Sequence, residues 1–224
     1  GAGRSRTQDF SGIALYADSL NRMNGGRLAI GAMPTVNYGS GGNIVTFADN
    51  ISSNNIILRE GAVLSAPEVV LRTRRPDGGI TLEAGAGINT LGRGDAPFDS
   101  ADGFVYDPGK ASLLLVSNGQ TSVLAPAKSV GLDGAGSIRI GTCSLEPCTD
   151  PATLYSNGSI TAATDNQFEL SDAVRFGTRH LTLAVGAINV GNAQVLTDAE
   201  GRVPVGLTLS QSVLNRLLQG DTQF

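Results

Sequence analysis

The chain has 224 residues, enough for one domain with a substantial buried core. Its apolar content of 41% is almost all small or aliphatic, because aromatics are 5% and Trp is absent, and its 30 Gly and 9 Pro stay below the share that marks low-complexity or collagen-like chains. A net charge of −4, with only Lys110 and Lys128 among the lysines, leaves no basic stripe to neutralise a phosphate backbone and excludes nucleic acid as the expected partner.

In chain order, GAGRSRTQDF has no apolar core of the kind a secretion signal needs, and no uncharged apolar run approaches about 18 residues anywhere. The abrupt start and the ending on GDTQF suggest a segment of a longer protein. The leading part, 1–26, is expected to carry a short helix: Ile13, Tyr16, Ala17, Leu20 and Met23 fall at helical spacing, with Ser11 as cap and Gly25–Gly26 as stop.

From Arg27 to about residue 206 the pattern changes to apolar stretches of four to seven residues between Gly, Asn, Asp and Pro, which reads as strands and turns. The stretches repeat. NIILREGAVLSA laid on GITLEAGAGINT puts Ile56 over Ile80, Leu58 over Leu82 and Gly61 over Gly85, and LTLAVGAINVGN continues the template with Leu181, Leu183, Gly186 and Ile188. Weaker copies fall at Leu113-Leu114-Leu115 and Ser137-Ile138-Arg139-Ile140-Gly141. A solenoid fits: stacked coils of short strands, alternate Ile, Leu and Val turned into a narrow core, and Gly or Asn at corners such as Arg59-Glu60-Gly61 and Ser117-Asn118-Gly119 where φ > 0 is needed. An antiparallel sandwich also gives short strands with regular turns, but does not call for in-phase return of a Gly-bearing unit. A stack cut from its neighbours is expected to expose apolar coil ends and self-associate.

Two insertions, 91–110 and 141–158, are read as surface loops, the second pinned by Cys143 and Cys148, whose C-x4-C spacing suits a disulfide-closed loop in an oxidising compartment, with free thiols as the alternative. The end, 207–220, reads as a short amphipathic helix capped by Ser210 or Ser212, with Val213, Leu214, Leu217 and Leu218 on the face that packs on the solenoid.

The coils GGITLEAGAGINTLG and RHLTLAVGAINVGN resemble the large secreted exoproteins of the filamentous haemagglutinin family, adhesins exported by two-partner secretion in Gram-negative bacteria. The run from GSIRIGTCSLEPCTDP to GAINVGNAQ and the following VPVGLTLSQSVLNRLLQGD are similar to stretches in the C-terminal half of very long members. The resemblance covers roughly residues 27–220 and implies a right-handed parallel β-helix, a secreted or cell-surface location and adhesive work. It further implies as partners a host-cell receptor or surface glycan and, for the parent protein, an outer-membrane transporter. The family's amino-terminal secretion domain has no counterpart here, so the segment would be passenger shaft.

Candidate chemistry is sparse. His180 precedes a strand with no nucleophile motif nearby. Walker A, G-x-S-x-G, H-E-x-x-H and EF-hand patterns are missing, and Gly85, Gly87, Gly134 and Gly136 complete no dinucleotide fingerprint and read as turn residues, so neither metal nor cofactor is expected. Asp95, Asp99, Asp102 and Asp107 would suit calcium chemically but match no calcium-loop spacing, and read as solvated loop charges. The runner-up function, a carbohydrate-active β-helix enzyme or carbohydrate-binding module, has Asp77, Glu83, Arg72, Arg74 and Arg75 as candidates, but no second coil repeats that cluster. The scatter of Tyr16, Tyr38, Tyr106 and Tyr155 offers no aromatic platform for a sugar. Arg93-Gly94-Asp95, in the first insertion, is an integrin-recognition triplet that about one chain in nine of this composition would carry by chance; on a loop of an adhesin-like body it is the candidate receptor contact.

Overall fold

The computed structural model describes residues 12–48, 54–73, 78–127, 136–142, 150–171 and 174–185, and the backbone of 188–191 and 207–210. One short helix, α1 (Ala17–Asn21), is followed by strands β1 (Leu28–Ile30), β2 (Pro34–Gly39), β3 (Gly42–Phe47), β4 (Asn55–Leu58), β5 (Val63–Leu64), β6 (Glu68–Arg72), β7 (Gly79–Glu83) and β8 (Gly87–Asn89). A 3-10 turn at Ser100–Asp102 leads to β9 (Phe104–Tyr106), β10 (Leu113–Ser117) and β11 (Ser122–Val123). The remainder is β12 (Ser137–Thr142), β13 (Ala152–Tyr155), β14 (Ser159–Thr164), β15 (Gln167–Leu170), β16 (Val174–Gly177), β17 (His180–Val185), β18 (Ile188–Gly191) and β19 (Leu207–Ser210). The chain is all-β in class.

The strands form four sheets. One is parallel throughout, in the order β18-β19-β15-β12-β7-β4, and a second, β16-β13-β8-β5, is parallel as well. The first keeps its inward residues in line: Ile56 pairs with Ile80, Ile80 with Ile138 and Ile138 with Phe168, while Leu58, Leu82, Ile140 and Leu170 make the next row. In the second, Leu64, Ile88, Leu154 and Phe176 stand in one row. Strands of period two can share a core only if equivalent residues fall in register, because a slip by one residue turns every side chain outward. The spacing of Ile56 and Leu58 to Ile80 and Leu82 seen in the sequence is thus the register of neighbouring strands, and Gly61 and Gly85, with φ of 77° and 76°, meet at one corner through a Gly61 N–H to Gly85 carbonyl bond of 3.1 Å.

The third sheet, β1-β6-β10-β14-β17, closes the core from another side and departs from the pattern. Leu113-Leu114-Leu115 stack in it as expected of a coil strand, but β10 runs antiparallel to both β6 and β14. After β8 the chain travels outward through 91–110, where β9 lies over the sheet's outer face, and re-enters from the opposite end. Leu114 and Val116 then face the coil core, whereas Leu113 and Leu115 join Val45, Phe47, Val70, Tyr106 and Ala163 in a second core under the fourth sheet, β11-β9-β3-β2. Burial on both faces explains the unbroken apolar runs of β6 and β10, since alternation is needed only where one face meets water.

Several expectations are corrected. The stretch 91–110 is not a free loop, because Phe104–Tyr106 pairs with β3 and β11. In 141–158, Ala152–Tyr155 is a strand between β8 and β16, since Ala152 and Leu154 carry core-facing side chains. Leu181 and Leu183 lie in β17 beside Ile160 and Ala162, not in the sheet that holds Ile80 and Leu82. Within the stretch 207–220, Leu207–Ser210 is a strand that pairs with β18 and β15, and the expected helical face of Val213, Leu214, Leu217 and Leu218 lies outside the described residues. Among the described residues of the leading segment Ala17–Asn21 is helical, with no side-chain cap at Tyr16, and Ser11 lies outside the described residues; Ala17 and Leu20 pack on the coil core, while Ile13, Tyr16 and Met23 stay exposed. One end of the core is thereby covered, and Asn21 completes the cover by taking the place of a neighbouring strand: its Nδ2 donates to the Val63 carbonyl and its Oδ1 accepts from Ser65 N–H, both at 2.7 Å.

Candidate receptor-contact loop

The loop that leaves β8 begins with a turn in which Arg93 N–H donates to the Thr90 carbonyl at 3.2 Å. Gly92 and Gly94 then take φ of 69° and 97°, conformations that L side chains rarely adopt, with open space where a Cβ would stand. Arg93, Gly94 and Asp95 are all exposed. The Arg93 guanidinium donates to the Asn21 carbonyl of α1 at 3.2 Å, and among the described residues the Asp95 carboxylate has neither a hydrogen bond nor an ion pair. Asp99 closes the loop: Oδ1 accepts from Ala101 N–H at 2.7 Å and Oδ2 from Gln120 N–H at 3.1 Å.

The loop rests on the corner Ser117-Asn118-Gly119. The Asn118 amide donates to the carbonyls of Thr90 and Gly94, each at 2.7 Å, and accepts from Thr90 Oγ1 and Asn157 N–H. Gly119 has no positive φ; it is glycine because a Cβ there would stand 2.8 Å from Asp99 Oδ2 and 3.1 Å from the Ala96 Cβ. Sequence reasoning placed that corner but gave glycine the wrong cause and missed the role of Asn118.

Behind the loop a buried polar cluster ties the elements together. Glu68 is wholly enclosed; its Oε1 accepts from Arg27 Nε at 2.7 Å and from the Tyr106 hydroxyl at 2.8 Å, and its Oε2 from Ser117 Oγ at 2.9 Å. Arg27 also lies 4.0 Å over the Phe98 ring, which stacks on Phe104 at 4.7 Å. Burial first, then the negative charge of Glu68, pushes the Tyr106 phenol well above its ordinary range. A carboxylate in the run PEVVLR was the signal that this strand is not simply half-solvated.

The other candidates do not converge. Arg72 is buried with Nε and Nη2 donating to the Pro108 carbonyl, and its guanidinium lies over Phe47. Glu83 pairs with Arg59 at 2.6 Å and accepts from Glu60 N–H. Asp107 accepts from Gly109 N–H, Asp102 is exposed in the 3-10 turn, and among the described residues no three His, Cys, Asp or Glu side chains gather as a metal site. His180 is exposed at the start of β17. Tyr16, Tyr38, Tyr106 and Tyr155 belong to four separate places: the approach to α1, β2, β9 and β13. Gly87 is a strand residue approached closely by Thr153, not a turn residue. Cys143, Cys148, Arg74, Arg75, Asp77 and Gly134 lie outside the described residues. No family model, curated protein or solved structure matches the chain.

Proposed function

We propose that the chain is a passenger segment of a large secreted or surface-bound bacterial adhesin akin to the filamentous haemagglutinin exoproteins, working by binding rather than catalysis. In this reading the two parallel sheets are sides of a right-handed parallel β-helix that serves as shaft, the antiparallel β10 and the β2–β3 hairpin are departures from it, and the partner is a host-cell receptor of the integrin type. Support for the shaft comes from the two parallel sheets whose inward rows stay in register over successive strands. The observation that carries the adhesive reading is the exposed Arg93-Gly94-Asp95 triplet on an ordered loop, with the Asp95 carboxylate unengaged. Asp95→Glu keeps the charge and moves the carboxylate outward by one methylene. Attachment of integrin-bearing cells to surfaces coated with the variant is expected to need about thirtyfold more protein, as for loss of a hot-spot contact; attachment equal to that on the parent chain overturns the reading.

A further inference from the structure

We propose that the corner Asn118-Gly119 is a seat that holds Arg93-Gly94-Asp95 in one preset shape, with Asn118 as its positioning residue; the binding half of this inference rests on the adhesive reading above. A primary amide offers two donor hydrogens and an acceptor oxygen with two lone pairs, and Asn118 uses all of them. Nδ2 donates to Thr90 O and Gly94 O at 2.7 Å each, while Oδ1 accepts from Thr90 Oγ1 at 2.7 Å and Asn157 N–H at 3.2 Å. One side chain thus joins the start of the loop, the middle residue of the triplet and the turn before β14. An aspartate here would set its oxygens against two carbonyls, and a serine could not reach all three segments.

The seat has a fixed floor. Gly158 lies so close under Asn118 and Gly119 that a Cβ on it would collide with their backbone, and Gly119 in turn admits Ala96, Phe98 and Asp99 above it. Two glycines of positive φ with no neighbours would leave the triplet loose without such an anchor. Held at Gly94, and with Arg93 tied to Asn21, the loop presents the Asp95 carboxylate with little conformational freedom left to lose on binding.

The Arg93–Gly94 peptide bond supplies its own probe, because trypsin cleaves after an arginine only when the surrounding backbone can open. In Asn118→Ala, cleavage at Arg93 under native conditions is expected to be about tenfold faster, as suits loss of the bonds that close the loop, while the thermal midpoint moves by a few degrees at most. The protein needed for half-maximal cell attachment should rise by about tenfold. Unchanged cleavage overturns the seat. Faster cleavage with unchanged attachment, where Asp95→Glu weakens attachment as expected, overturns its part in binding. If Asp95→Glu has no effect, the adhesive reading and the binding half fall together, and the seat is decided by cleavage alone. Should Asn118→Ala fail to fold, Gly119→Ala keeps the amide and pushes Ala96 and Asp99 off the corner, with the same readouts.

Discussion

Tyr106 shows how far a single residue can be set apart from water in this chain. Its hydroxyl donates to a fully buried carboxylate, which favours the protonated phenol, while Arg27 Nη2 donates to its oxygen at 3.4 Å and opposes that; burial and the carboxylate outweigh the guanidinium. The folded pKa lies above the ordinary 10.0, and the sign of the linkage follows. Below about pH 10 the phenol keeps its proton folded or unfolded, and the full contribution to stability is present. Above that pH the unfolded chain loses the proton while the folded one keeps it, so stability falls by up to about 1.4 kcal/mol per pH unit until the folded phenol itself titrates. Urea midpoints measured between about pH 9 and 11 should show this slope, and Tyr106→Phe should flatten it at the cost of about 1 kcal/mol near neutrality. An identical slope in the variant would place the alkaline loss elsewhere.

At the scale of elements, β10 decides what could be read from the sequence. The strands of the two parallel sheets were legible because one inward residue in two is enough to fix register, and Ile56, Ile80 and Ile138 meet that rule. Leu113-Leu114-Leu115-Val116 carries no such alternation, so the sequence reveals a buried strand but neither its direction nor its second cover. Direction is set by the path of 91–110, and the cover by β9 together with the β2–β3 hairpin, which is distant in sequence. The seat under the loop was hidden for the same reason: Asn118 and Gly94 are 24 residues apart, and only the fold brings them together. The two covers make a measurable claim. Leu114→Ala, on the coil side, and Leu115→Ala, on the side of β3 and β9, should each cost about 2–5 kcal/mol in urea unfolding. A near-neutral Leu115→Ala would mean that the outer core does not form.

For the molecule as a whole, the question is how a stack of strands ends. The expectation of two open apolar ends is too simple, because Ala17, Leu20, Leu28 and Ile30 close one of them, and Asn21 satisfies the backbone of β5 there. Leu20→Asp sets a charge into that cover. It is expected to convert the chain to concentration-dependent oligomers in sedimentation velocity, beyond any association of the parent; an unchanged distribution would show that α1 does not guard the end.

The doubly covered sheet also bears on how such a chain can drift in sequence. On β12, β15 and β16 the outward residues Arg139, Glu169 and Arg175 are exposed, and many replacements there would pass without consequence. Val70, Leu113, Leu115 and Ala163 have no such licence, because each outward position of their strands is inward for something else. Changes in this side of the molecule must arrive in compensated pairs, a Leu traded against a neighbour's volume, so it should keep its residue sizes long after the other two sides have lost any trace of common ancestry.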